Sequence, residues 1–396
     1  MEKSASFHVT DKQLNMAERI IPSLSESLDV KRFWEDQEVA ISDPWSDTCP
    51  QMPIGIGMSN ECVFTELDVE EDWYRLVHDN DFRVGLERSY NDKTEIAVGK
   101  RLLGEKSRNP DRAWPPVKKL NDIFEAENRW IKWSYWLLPA ANNPAELEAL
   151  LDRVELRLEN LAAFILPKNW DREKERLTGL GESVPLYRNQ RGPVTFAMSV
   201  YGLENLIFLI SDLPDLAARF RDLICRSILE IARMLDSEAG FGAENAPRGF
   251  SWADDNCCML SPEMYEFFGY PIVKAVFDRY SPDKNDLRSQ HSDSDMEHLL
   301  PILSKLDLNS VNFGPSLSVA AIRQHLPGAL IRGQLAPFTF SRNEEVYIVA
   351  ETLRDFEMSR QDKGILFSTA GSINNGSRLT GLRLIMATIQ NYCRYQ

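Results

Sequence analysis

From residue 184 onward, short apolar runs alternate with stretches whose apolar residues recur at three- and four-residue spacing. Strand character is predicted at Val184–Tyr187, Val194–Met198, near Phe250, Leu287–His291, Ser310–Phe313, Ala329–Arg332 and Gly364–Ser368. The intervening segments Asp215–Ala239, Pro262–Tyr280, Met296–Leu306, Ser318–His325, Asn343–Met358 and Ser377–Tyr392 carry helical stripes. Ser261 before Pro262 and Asn143 before Pro144 are N-cap and first-turn signals, the second opening a helix over Pro144–Phe164. Upstream, the glycine-punctuated run Met52–Met58 reads as a first buried strand, and 69–104 as helical. Residues 1–50 read as an extension with an amphipathic helix over Asp11–Leu28. Strands separated by helices every 35–40 residues or so imply right-handed βαβ units and parallel pairing. Polar residues at nearly every strand end favour a closed sheet. The expected fold is an α/β (β/α)8 TIM barrel over residues 51–396, with a helical insertion at 69–170.

In such a barrel, chemistry gathers at the C-terminal strand ends. Gln290-His291-Ser292-Asp293-Ser294-Asp295 places an imidazole and two acids at one of them. His291 could ligate a divalent ion with Asp293 and Asp254 or Asp255. It could also act as a general acid or base, or bond a neighbouring loop while Asp293 or Asp295 caps the next helix. Asp254 and Asp255 close the strand near Phe250. Two adjacent carboxylates in a dry pocket are expected to share acid–base duty or bind a cation, unless one caps a loop. Arg188 and Arg191 are candidates to neutralise a substrate carboxylate. Glu61, Gln334 and Asn374 offer further polar contacts at other strand ends. Trp130, Trp133 and Trp136, with Tyr135, recur at helix spacing and read as core or a partner-facing patch.

Composition narrows the classes. With 43% hydrophobic and 27% charged residues the chain is that of a globular protein. A formal net charge of -15 and no basic stripe argue against nucleic acid. No run approaches bilayer-spanning length, and the polar N-terminus lacks a secretory core. Six cysteines without CxxC spacing suggest a reduced, cytoplasmic setting. There is no Walker A loop and no GxGxxG fingerprint.

The C-terminal half resembles the uroporphyrinogen decarboxylase superfamily, through residues 184–394 with a weaker match at 52–62. The segments that carry the resemblance are Gly192-Pro193-Val194-Thr195-Phe196-Ala197, Asp254-Asp255 with Leu260–Phe268, and His291 with Leu299–Leu303. Phe313-Gly314-Pro315, Ile331–Gln334 and Ile365–Gly376 follow in order. The superfamily includes porphyrinogen decarboxylases and zinc-dependent methyltransferases that exchange methyl groups with corrinoid proteins. The decarboxylases' R-Q-A-G-R-Y motif has no counterpart here. Their active-site tyrosine corresponds to about Ser199, with Tyr201 two residues on, and a family histidine falls near Gly371. In the thiol-activating methyltransferases, zinc is held by His-x-Cys and a later Cys. His291 matches the histidine, Asp293 replaces the first cysteine, and Gly371 sits near the second. The resemblance implies methyl transfer from a small methylated substrate to a corrinoid protein. Zinc or another ion would sit at His291, Asp293 and Asp255, and a homodimer is compatible. The alternatives are a metal-free decarboxylase of a small or porphyrin-like carboxylate, using Asp254 or Asp255 and an arginine, and a non-catalytic ligand-binding barrel.

Overall fold

Eight strands and a majority of helical residues are laid out over residues 8–395, which the computed structural model describes. The chain divides into a central unit (Arg108–Gln290 and Pro301–Asp307) and a terminal unit (Met1–Ser107, His291–Leu300 and Leu308–Gln396).

In the central unit, β1 (Asn128–Ile131) and β2 (Ser134–Leu137) form an antiparallel hairpin that pairs Trp130 with Tyr135. Two parallel strands follow, β3 (Asn189–Arg191) and β4 (Phe250–Ala253), with Gln190 opposite Trp252. Between them run helices Pro193–Tyr201, Leu203–Asp212 and Pro214–Glu238. The last buries Phe220, Ile224, Ile228 and Ile231, the stripe its periodicity predicts. Ser261 caps helix Pro262–Tyr280 by accepting from the Met264 N–H at 3.2 Å. The chain leaves this unit through β5 (Arg288–His291).

The terminal unit holds β6 (Ser310–Asn312), β7 (Leu330–Leu335) and β8 (Ile365–Thr369), paired in parallel in that order. All five residues of β8 are buried, as a parallel strand covered on both faces requires. Helices Asp11–Ser27 and Val30–Ser42 join this unit through bonds from Gln13 to Glu357 (2.9 Å) and from Gln390 to the Asp29 carbonyl (2.9 Å). Parallel strands β3 to β8 in chain order, each followed by helix, in a chain with N-terminal helices, make this the expected TIM-barrel class.

Local expectations fail where burial erases periodicity. Val194–Met198, read as a strand, is the interior of helix Pro193–Tyr201. Eight of its nine residues are buried, so the apolar run has no polar face to show a helical period. Strand pairing at Val184–Tyr187 moves to Asn189–Arg191. Met52–Met58 contributes a single bridge, Ile54 to Phe367, flanked by Gly55 N–H to Phe367 O at 2.7 Å. The helix expected over 69–104 breaks at Asp79, which caps its own continuation by accepting from Phe82 N–H. The tryptophan group is neither core nor helical. It lies on the β1–β2 hairpin with Trp133 and Trp136 exposed. Among the described residues no single helix is long and apolar enough to cross a membrane.

Candidate functional site

In the terminal unit, His291 ends β5 and stands beside Asp293. His291 Nε2 lies 3.3 Å from Asp293 Oδ1, and Nδ1 lies 2.6 Å from Asn312 Oδ1. Asn312, at the end of β6, uses its amide NH2 on the carbonyls of Arg332 and Thr369, the latter at 2.9 Å. Its oxygen must therefore face the imidazole, which assigns the ring proton to Nδ1. In the neutral ring Nε2 is then an acceptor nitrogen, pointed at a carboxylate oxygen that is also an acceptor. Two acceptors at that separation need a proton or a metal cation between them.

Asp293 is itself held: the Ser372 N–H donates to Oδ1 at 2.7 Å. Burial pushes its pKa up, but the neighbouring His291 and the Ser372 N–H outweigh burial and hold it below the usual carboxylate value. Gly371 makes room for this arrangement. Its φ is +92°, and a Cβ there would lie 2.2 Å from Asp293 Oδ1. A side chain at 371 is thus excluded by the acid that stands at 293. Glu61, on the turn Asn60–Cys62, has its carboxyl raised by burial first and by the Asp293 charge second.

Gln334 is buried and spends its side-chain amide on the carbonyls of Gly314 (3.2 Å) and Leu317 (2.7 Å), a role in loop packing. Asn374 gives its carbonyl to the Ser377 N–H at 3.3 Å, while its neighbour Asn375 ties the loop to Thr65 and Glu71.

In the central unit the two adjacent acids separate. Asp254 is fully buried and accepts from the Thr195 N–H at 2.8 Å. It thereby caps helix Pro193–Tyr201, whose own N-cap, Gly192, has no side chain. A Cβ on Gly192 would meet Asp254 Cβ at 2.1 Å. Asp255 instead lines a cavity of about 670 Å³ with Arg191, Thr195, Ser199 and Trp136. Arg191 Nη1 donates to Ser199 Oγ at 3.1 Å.

Arg188 does not join that cavity. It pairs with Asp236 at 2.6 Å, donates to the Pro247 and Tyr187 carbonyls, and stacks over Tyr280 at 4.1 Å. Tyr201 is buried edge-to-face against Phe220. Asn312 was not singled out in the sequence, although it obeys the strand-end rule that identifies His291.

Burial pushes the Asp254 carboxyl up to about 6 against its ordinary 3.8, despite the helix N–H groups that lower it. The folded state therefore holds this proton more tightly. Its stabilising contribution is complete below pH 3.8 and is lost as pH rises through about 6. Asp254→Asn keeps the cap and removes the titration. From pH 4 to 7 the wild type should lose about 2–3 kcal/mol relative to this variant in urea unfolding. A difference that does not move with pH would show that the carboxyl is not so perturbed.

The family model for uroporphyrinogen decarboxylase (URO-D) matches residues 174–392. Among solved structures, a methyltransferase from Methanosarcina mazei superposes with a TM-score of 0.52 at 16% sequence identity. The alignment covers 89% of this chain and 96% of that one. No curated protein matches the sequence.

Proposed function

Because the chain belongs to the uroporphyrinogen decarboxylase (URO-D) family, we propose that it transfers a methyl group from a small methylated donor to a corrinoid protein. In this reading a divalent ion, zinc among the candidates, is held by His291 and Asp293. The observation that carries it is the His291 Nε2–Asp293 Oδ1 juxtaposition, in which both atoms are acceptors when the ring is neutral and Asn312 holds its proton on Nδ1. Donor atoms 3.3 Å apart can share one ion at bond lengths of about 2.0–2.2 Å. The nitrogen–oxygen set suits zinc or another borderline divalent ion and lacks the thiolates of the Cys-rich sites. The ion would act as a Lewis acid on the donor's heteroatom, so that the methyl group leaves more readily. His291 supplies the oriented nitrogen, Asn312 fixes its tautomer, and Ser372 N–H fixes the acid.

The test is metal analysis of protein purified without chelator, with one divalent ion per chain expected. Asn312→Ala should weaken that ion about 10–100-fold while leaving the fold intact, because it frees the imidazole to turn and change tautomer. Failure of the protein to bind any divalent ion would overturn the reading. It would leave the cation between the two acceptors as a proton on His291.

A second reading, a metal-free decarboxylase, is favoured by one feature: a buried acid, Asp254, with its carboxyl raised to about 6, one residue from Asp255 in a cavity that also contains Arg191. There the acid would hold or deliver a proton and Arg191 would bind the carboxylate. Full activity of the ion-stripped protein on a carboxylated substrate would select it. A non-catalytic barrel would retain partner binding in the His291→Ala/Asp293→Ala double variant and show no turnover in the wild type.

A further inference from the structure

The β1–β2 hairpin brings an aromatic side chain to a charged cavity. The cavity of about 670 Å³ lies wholly within the central unit, and its walls include β2, the end of β3 and the residues after β4. That volume suits a ligand with a bulky body rather than a one-carbon compound. Two of its side chains are poised differently from their neighbours. Trp136 is 56% exposed, on a strand fixed by pairing to β1 and by the edge-to-face contact of Trp130 and Tyr135 at 5.2 Å. Arg191 has five N–H donors, and among the described residues its one hydrogen bond is to Ser199 Oγ. Arg188, three residues earlier, is by contrast saturated by Asp236, two carbonyls and Tyr280.

Resting on the carboxylate role that the second reading gives Arg191, we propose that this cavity binds an amphipathic monocarboxylate, with an apolar or aromatic body against Trp136 and Leu137. Arg191 lines the cavity and stays exposed, so an anionic partner can reach its guanidinium. Ser199 orients it: the hydroxyl donates to the Thr195 carbonyl at 2.7 Å and so offers the guanidinium a lone pair. Asp255 limits the ligand's charge. It interacts with Arg191 and lines the same cavity, so a second carboxylate would meet an acid rather than a second arginine. The overall charge of -15 works against polyanions in the same direction. Trp136 and Leu137 supply the apolar wall that a bare carboxylate such as acetate would not use.

Isothermal titration of the full chain with benzoate, acetate and terephthalate tests this without adding or removing any ion. Failure here therefore leaves the His291–Asp293 reading standing, and the reverse also holds. Benzoate should bind at least about tenfold more tightly than acetate, and terephthalate more weakly than benzoate. Arg191→Gln should weaken benzoate by about tenfold or more. Trp136→Ala should weaken benzoate about tenfold and leave acetate unchanged. Both positions reach solvent, so thermal melts can confirm that the variants fold. Equal binding of acetate and benzoate, tighter binding of terephthalate, or benzoate affinity untouched by either substitution overturns the proposal.

Discussion

Arg354→Ala should destabilise the protein by about 3–5 kcal/mol, read as a shift in the urea midpoint at pH 7 with the slope unchanged. Arg354 is 2% exposed and lies between two acids that are completely buried, Glu351 and Asp355. Its Nε donates to Asp355 Oδ1 at 2.7 Å, Nη2 donates to the Gln334 carbonyl at 2.7 Å, and Nη1 lies 3.8 Å from Glu351. The acids in turn hold the end of β7 and the turn after it. Asp355 accepts from the Gln334 N–H at 3.1 Å, and Glu351 accepts from the Ala336 N–H and the Thr339 hydroxyl, both at 2.8 Å. Burial already pushes Glu351 up to about 7. Removing this cation strands two carboxyls in a dry interior, and protonation of Glu351 recovers only part of the cost. A loss under about 1 kcal/mol would mean that water reaches the network.

Gly371→Ala is expected to reduce divalent-ion affinity by about 100-fold or more, with a smaller loss of stability. The backbone at 371 has φ +92°, which an alanine adopts only with strain, at a cost of about 1–2 kcal/mol. Its Cβ would fall 2.2 Å from Asp293 Oδ1, so the acid or the Ser372 loop must move. Either movement breaks the bond that aims Asp293 at His291. The control is the double variant with Asp293→Ala. If the clash is the mechanism, the 2.2 Å contact with Oδ1 is then gone while the Asp293 Cα remains at 3.3 Å, and the stability cost of Gly371→Ala falls. A stability cost that stays the same in both backgrounds would point to backbone strain alone.

Some of this was legible in the chain and some was not, for identifiable reasons. The helices Pro214–Glu238 and Pro262–Tyr280 were recoverable because each keeps a polar face or a cap that marks its period and start. Pro193–Tyr201 was not, since burial on nearly all sides leaves an apolar run that fits strand or helix. Its Gly192-Pro193 entry was the better signal. The tryptophan group misled in the opposite direction. Spacing of three residues between Trp130, Trp133 and Trp136 matches a helix, yet a two-residue loop at Lys132-Trp133, with Lys132 at φ 60°, folds it into a hairpin. Arg354 was hidden because ionic residues on a helix usually face solvent.

What the sequence alone determined is the succession of strands and helices and the habit of ending strands in polar residues. Both are local: hydrophobic period and turn chemistry are carried by neighbours in the chain. Only the tertiary structure decided which member of each polar group turns into the interior and which lines a cavity. Asp254 turns inward to cap a helix 59 residues away, and Asp255 lines a cavity. Arg188 is neutralised by Asp236 while Arg191 keeps donors to spare, and the tautomer of His291 is set by Asn312 on another strand. Each outcome depends on partners distant in sequence, and no reading of spacing can supply them.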